Sequence, residues 1–351
     1  MGLRRFSLAV VAACLVMPVL PALAAAEAVP ALDADALVAA GHDAVERGSI
    51  EQGVAFFKQS LAITPSRAVL VDLGCALADL EKWDDAKKAF QGALDTKADD
   101  AAALNGLGYV FYRQAKMAEA IGCYRQALAG RDDPQYRLNL GLAYLSQERW
   151  GQAADEFAAT VAAQPQDFWG HNDLGYALQK SGKLESAARQ YSQAIALGRD
   201  DVTAHLNLGG LLLEARAWDG AVRVYADALR KQDKSPEAHL GLAIAYSHLN
   251  RLPEAQREAR LSERLAPERA QGHHMLAEIY RKRKRWAESI AEARKATALA
   301  PLNATYQLVL GAALEGAGRN ADAAAAYDRF LLLEPEGAQA RDVKMRARLL
   351  R

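Results

Sequence analysis

The sequence predicts an all-α protein, an α-solenoid of antiparallel helix pairs, and three observations carry that prediction. A small residue recurs at intervals of 33 or 34 positions: Gly41, Gly74, Gly108, Gly141, Gly175, Gly209, Ala243, Ala277 and Gly311. Twelve residues after each stands another: Gly53, Ala86, Ala120, Ala153, Ala187, Ala221, Ala255, Ser289 and Ala323. Four further on comes an aromatic in seven of nine repeats: Phe57, Phe90, Tyr124, Phe157, Tyr191, Tyr225 and Tyr327. A fixed period of this length marks stacked helical hairpins, none of which can bury its apolar face alone.

Taken in chain order, residues 1–26 begin with Arg4 and Arg5, continue apolar from Phe6 to Leu20 and end in small residues, the pattern of a secretory signal peptide. Cleavage is expected between Ala24 and Ala26, with export to the periplasm. The alternative is a lipid anchor at Cys14, which lies in a Val-Ala-Ala-Cys box. Residues 27–33 form a linker and 34–335 hold nine repeats. Within each repeat, apolar spacing such as Leu140-Gly141-x-x-Tyr144 makes one face of a first helix. Ala187, Tyr191 and Ala194 make the matching face of a second. Pro65, Pro165, Pro267, Pro301 and Pro335 stop five of the second helices. Residues 336–351, rich in arginine, read as a helix that caps the last apolar face.

The small-residue, aromatic and proline positions, nine times in register, resemble the tetratricopeptide repeat (TPR). The likeness covers roughly six-sevenths of the chain. It implies a right-handed superhelix whose first helices line the concave side, and a protein that holds partners. Tryptophan opens the second helix in alternate repeats only, at Trp83, Trp150, Trp218 and Trp286. Either a two-repeat module was duplicated or the position accepts any large apolar residue. The seventh and eighth repeats carry Ala259 and Ala293 in the aromatic position. Their second helices are expected to pack closer or more loosely, making a bend or a specialised surface.

Without the signal, 41 basic residues face 43 acidic ones, a formal charge of −2 that gives no reason to invoke nucleic acid. Cys75 and Cys123 would remain, on different helices of neighbouring repeats, which disfavours a disulfide. His171, His205, His239 and His273 recur at 34-residue intervals. Helices about 8–10 Å apart cannot bring such a ladder to one metal centre, so these rings are expected to be half-buried at the helix interface. His274 and Glu278, four apart, make at most a two-ligand site. No nucleophile elbow, phosphate loop or paired-cysteine motif is present, so neither catalysis nor a cofactor is expected.

The inner face is where function is expected. Asp72, Asn139, Asp173 and Asn207 stand two before the leading glycine; Asn105 and Asn172 stand one earlier. These resemble the asparagine ladder of TPR arrays that hold extended polypeptide, since a carboxamide pairs with any peptide group. Tyr109, Tyr112, Trp169 and Tyr176, with Arg113, Gln179 and Lys180 beside them, suit either a peptide side chain or a sugar ring. A polypeptide held across repeats three to six is the expected partner; a secreted polysaccharide is the alternative. Val71, Leu138, Leu206 and Leu240 stand where chaperone-binding members of the family place lysine, so recognition of an acidic chain terminus is not implied. Arg281-Lys-Arg-Lys-Arg285 closes a first helix. It complements the helix dipole or touches anionic lipid at the membrane periphery.

Overall fold

A computed structural model describes residues 33–198 and 200–351. The expected signal, its cleavage site and Cys14 lie outside the described residues. Among those described, every regular element is a helix. The first repeat pairs α1 (Ala34–Glu46) with α2 (Ile50–Ile63), the second α3 (Arg67–Asp79) with α4 (Trp83–Thr96). The third pairs α5 (Ala101–Arg113) with α6 (Met117–Gly130), the fourth α7 (Pro134–Ser146) with α8 (Trp150–Ala163). The fifth pairs α9 (Phe168–Lys180) with α10 (Leu184–Ala196), the sixth α11 (Thr203–Glu214) with α12 (Trp218–Lys231). The seventh pairs α13 (Pro236–His248) with α14 (Leu252–Leu265), the eighth α15 (Ala270–Lys282) with α16 (Trp286–Leu299). The ninth pairs α17 (Ala304–Gly316) with α18 (Asn320–Leu333), and α19 (Ala340–Leu349) follows. The array divides into two compact units, the first ending at Pro165 and the second beginning at Gln166.

First and second helices start differently. Asp33, Asp100, Asp133, Asp167, Ser235 and Asn303 cap first helices with side-chain oxygens that accept from backbone N–H groups. Each such cap contributes about 1 kcal/mol. Second helices follow a tight turn instead, with one residue in the left-handed region: Gly48, Gly182 and Gly318, but also Glu81, Ala115, Glu148, Arg216, Asn250 and Lys284. The N–H beyond that residue reaches back five positions, as Lys82 does to Leu77 and Lys116 to Phe111, which closes the first helix.

Each second-helix ring packs against the leading glycine of its own repeat. A Cβ at Gly141 would lie 2.5 Å from the ring of Phe157, and one at Gly175 would lie 2.7 Å from that of Tyr191. Some rings also reach the next first helix: Phe90 lies over Gly106 and Tyr225 over Gly241. Glycine is therefore required by close approach. In the seventh and eighth repeats the pair becomes Ala243 with Ala259 and Ala277 with Ala293, all essentially inaccessible to solvent. Met275, Leu276 and Ile279 fill part of the space. Of the two packings expected there, the closer is observed for α14. A Cβ at Gly272 would sit 3.1 Å from the Cα of Glu263, which brings α14 against α15 backbone to backbone.

At the end of the second unit, α19 lays Val343 and Ala347 against Tyr327 and Phe330 of α18. Arg341, Lys344 and Arg348 are exposed on its other side. Cys75 and Cys123 are free thiols. Burial pushes Cys75 up to about 12, with Asp72 and Asp79 adding to the shift, so it is a packing residue at neutral pH.

Candidate interaction surface

Within each unit the first helices pack on one another in succession: α3 on α5 and α5 on α7 in the first, α9, α11, α13, α15 and α17 in the second. Among the described residues of either unit no two successive second helices pack to that extent. The first helices therefore make the inner layer of each unit.

In the first unit, the cluster at the end of α5 is the most developed. Arg113 Nη1 donates to the Tyr109 hydroxyl at 2.9 Å and Nη2 to Glu81 Oε1 at 3.0 Å. Its guanidinium lies 4.6 Å from the centre of the Trp83 ring, and Trp83 meets Tyr109 edge to face at 6.2 Å. Such cation–ring contacts contribute roughly 0.5–2 kcal/mol each, depending on desolvation. Tyr112 is half-buried beside them; burial raises its phenol pKa, Tyr109 adds to that, and Arg113 opposes it. Asp72 lies 3.3 Å from His42. Burial raises the Asp72 carboxyl pKa, and the histidine pulls against that shift.

The amides are arranged otherwise than an open ladder. Asn139 Nδ2 donates to Asn105 Oδ1 at 2.9 Å, and Gln135 Nε2 donates to Asn139 Oδ1 at 3.2 Å. In the second unit Asn207 Nδ2 donates to Asn172 Oδ1 at 2.8 Å, and Asn172 Nδ2 to Asp173 Oδ1 at 3.2 Å. Asn105, Asn139 and Asn172 are buried. The one-residue offset noted in the sequence is thus a register: the amide three before one glycine meets the amide two before the next. These bonds hold adjacent first helices together.

The second unit's remaining inner residues are partly exposed. Trp169 packs edge-on against Phe168 at 5.0 Å. Lys180 lies 5.5 Å over the Tyr176 ring. Gln179 bridges, accepting from the Tyr191 hydroxyl and donating to Glu214, both at 2.9 Å.

Three features were not legible as contacts in the sequence. Three of the alternate tryptophans reach thirty residues ahead, to the last turn of the next first helix: Trp83 to Arg113, Trp218 to His248, Trp286 to Gly316. Trp218 and His248 stack at 4.0 Å, nearly parallel.

The histidine ladder is buried rather than half-buried, and three of its four rings find a polar partner nineteen residues on, in the second helix. Nδ1 of His171 donates to Gln190 at 2.7 Å, that of His239 to Glu258 at 2.8 Å, and that of His273 to Glu292 at 2.7 Å. In the sixth repeat that position is Val224, and His205 Nδ1 is buried with no hydrogen bond. His274 also buries Nδ1 without a partner and lies against the Tyr306 ring at 4.8 Å. Among the described residues no three His, Cys, Asp or Glu side chains converge on a metal position.

The basic run is largely engaged within the protein. Arg281 pairs with Glu278 at 2.7 Å, Lys282 donates to Ser247 Oγ at 2.8 Å, and Arg283 meets Gln256. Arg285 covers the Tyr280 ring at 4.9 Å. Among the described residues no helix is long and apolar enough to cross a membrane.

Stacked helical hairpins with a built inner layer define a class, the protein–protein interaction scaffold. A tetratricopeptide repeat family model matches residues 71–135, 111–168, 172–236 and 274–341, and a second matches 212–279. The chain belongs to the tetratricopeptide repeat family. Solved structures share the fold. The Cut9–Hcn1 hetero-tetramer of APC/C matches at 12% identity and TM-score 0.55, over 90% of this chain and 96% of that one. PilW, a type IV pilus biogenesis factor, matches at 19% and 0.54, over 58% and 96%. A tetratricopeptide repeat protein from Parabacteroides merdae ATCC 43184 matches at 15% and 0.54, over 71% and 98%. No curated protein sequence matches significantly.

Proposed function

We propose that this chain is a non-enzymatic adaptor of the cell envelope that holds an extended segment of a partner polypeptide against the first-helix face. One observation carries the reading: Arg113 is fixed by Tyr109, Trp83 and Glu81 at a partly exposed edge. Among the described residues two of the five guanidinium N–H groups have partners, which leaves donors for peptide carbonyls or a carboxylate. Within the second unit, taken by itself, Trp169, Tyr176 and Lys180 make an anchor set of their own. The interlocked asparagines set the spacing of the first helices. Export rests on the pattern of residues 1–26. Against polysaccharide, Lys180 already lies over one face of the Tyr176 ring, where a sugar would stack.

The test is a cross-linked pull-down from envelope extract, read by mass spectrometry, with the wild-type chain beside Arg113→Ala and Tyr109→Ala. A polypeptide recovered with wild type and about tenfold reduced with either variant is expected, the usual loss when a charged anchor is truncated. Equal recovery would remove the inner-face reading. Heat on titrating envelope polysaccharide, abolished by Trp169→Ala, would favour the glycan instead. N-terminal sequencing of the mature chain checks export, with a start at residue 25, 26 or 27 expected.

A further inference from the structure

The two second helices that lack a ring, α14 and α16, flank a cleft of about 510 Å³ on the outer layer of the second unit. Leu276 and Tyr280 of α15 form its floor. The cleft follows from packing: with alanine at 259, α14 drops onto α15 until Gly272 meets the backbone at Glu263, and the space between α14 and α16 stays open.

The rim is basic. Arg257, Arg260 and Arg264 of α14 and Lys295 of α16 face two carboxylates, Glu263 and Glu292. Glu292 is already engaged, accepting from His273 at 2.7 Å and Lys295 at 3.0 Å. Arg257 is held by Glu258 at 2.8 Å. Arg260 gives one N–H to the Tyr280 hydroxyl at 2.9 Å, and among the described residues the rest of its fork meets no partner. Arg264 meets no carboxylate among the described contacts and is exposed. Planar guanidinium groups over an apolar floor match carboxylates carried beside a large apolar side chain.

We infer that this cleft is a second docking site, on the outer layer, for an acidic polypeptide segment of a partner protein that carries leucine or phenylalanine between its carboxylates. The apolar side chain lies against Leu261, half-buried on the wall above the buried Leu276 and Tyr280, and its flanking carboxylates meet Arg260 and Arg264. The site is independent of the inner face and stands whether or not that face binds peptide.

The test uses the full chain and a short fluorescein-labelled peptide of alternating glutamate and leucine, read by anisotropy, with a lysine–leucine peptide as control. The acidic peptide binds and the basic one does not. Affinity falls as salt rises, because the contacts at the rim are screened. Arg264→Glu weakens binding about tenfold or more, as reversal of a contacting charge does. Gln256→Trp, which fills the cleft without altering charge, weakens it as well, while Arg113→Ala leaves it unchanged. Unchanged thermal melting confirms that both cleft variants are folded. No binding of the acidic peptide, equal binding by both cleft variants, or loss of binding through Arg113→Ala each overturns the proposal.

Discussion

Repeats one to six and nine differ from repeats seven and eight at one pair of positions, sixteen residues apart. Where the second helix carries Phe or Tyr, the first helix carries glycine; where it carries alanine, so does the first. The distances explain the pairing, since a Cβ at the glycine would stand about 2.5–2.7 Å from the ring it faces. A repeat is therefore specified by a matched pair rather than by two separate positions. Changing both members together preserves the hairpin while it moves the second helix. The outer layer closes over a ring in one region and opens a basic cleft in the other.

The sharpest way to break this contrast is a mutant cycle in the fourth repeat. Phe157→Ala should cost about 3–5 kcal/mol, the usual loss for deleting a buried ring. Gly141→Ala should cost about 1–3 kcal/mol by overpacking the same ring. The double variant should cost clearly less than the two together, because the alanine methyl then occupies space the ring has left. In the seventh repeat Ala243→Gly should cost only about 1 kcal/mol, the price of glycine in a helix. Urea midpoints with hydrogen exchange at each repeat read all four; strict additivity at 141 and 157 would dissolve the matched-pair account.

A second contrast lies within the histidine ladder. Glu258 accepts from His239, whereas the corresponding Val224 leaves His205 without an acceptor. Burial lowers the His205 pKa, Lys231 adds to that, and Asp227 opposes it. A histidine lowered in the folded state contributes no penalty above its unfolded pKa of about 6.5, and destabilises as pH falls below it. NMR should show His205 titrating below that value, and urea stability should decline from pH 7 to pH 5. Val224→Glu should supply the missing acceptor and shrink the decline. For Glu258, burial pushes upward, but bonds from His239 and Arg257 outweigh it and hold the carboxyl below its ordinary range. Its contribution is therefore present above the unfolded carboxylate value near ~4.3 and is lost as pH falls through the folded one.

The smallest effect separates turn chemistry from packing. Ala115 sits at φ 59° in an exposed turn where three other repeats have glycine. Ala115→Gly should raise stability by about 1 kcal/mol by relieving the left-handed conformation. A fall in the urea midpoint would mean that unfolded-chain entropy dominates there.

The hairpin architecture was legible because the period of small residues and rings repeats nine times, so chance agreement at one repeat hardly matters. The tryptophan alternation was legible as a pattern and not as a contact, since Trp83 and Arg113 meet across a repeat boundary thirty residues wide. The asparagine positions were visible, yet their pairing was not. Isolated Asn105 and Asn139 look like two free amides; only the spacing of α5 and α7 makes one the acceptor of the other. Burial of the histidines was missed for the same reason, since the partner nineteen residues on has no fixed identity.

Sequence alone determined the helices, their pairing and the close contacts within each hairpin, because these depend on residues sixteen positions apart or fewer and on the size of one side chain. Which polar groups are spent on the fold and which remain for a partner was decided only by tertiary structure. A donor's availability depends on what the next repeat sets within about 3 Å of it, and that distance is fixed by how far the intervening ring, or its absence, lets the helices approach.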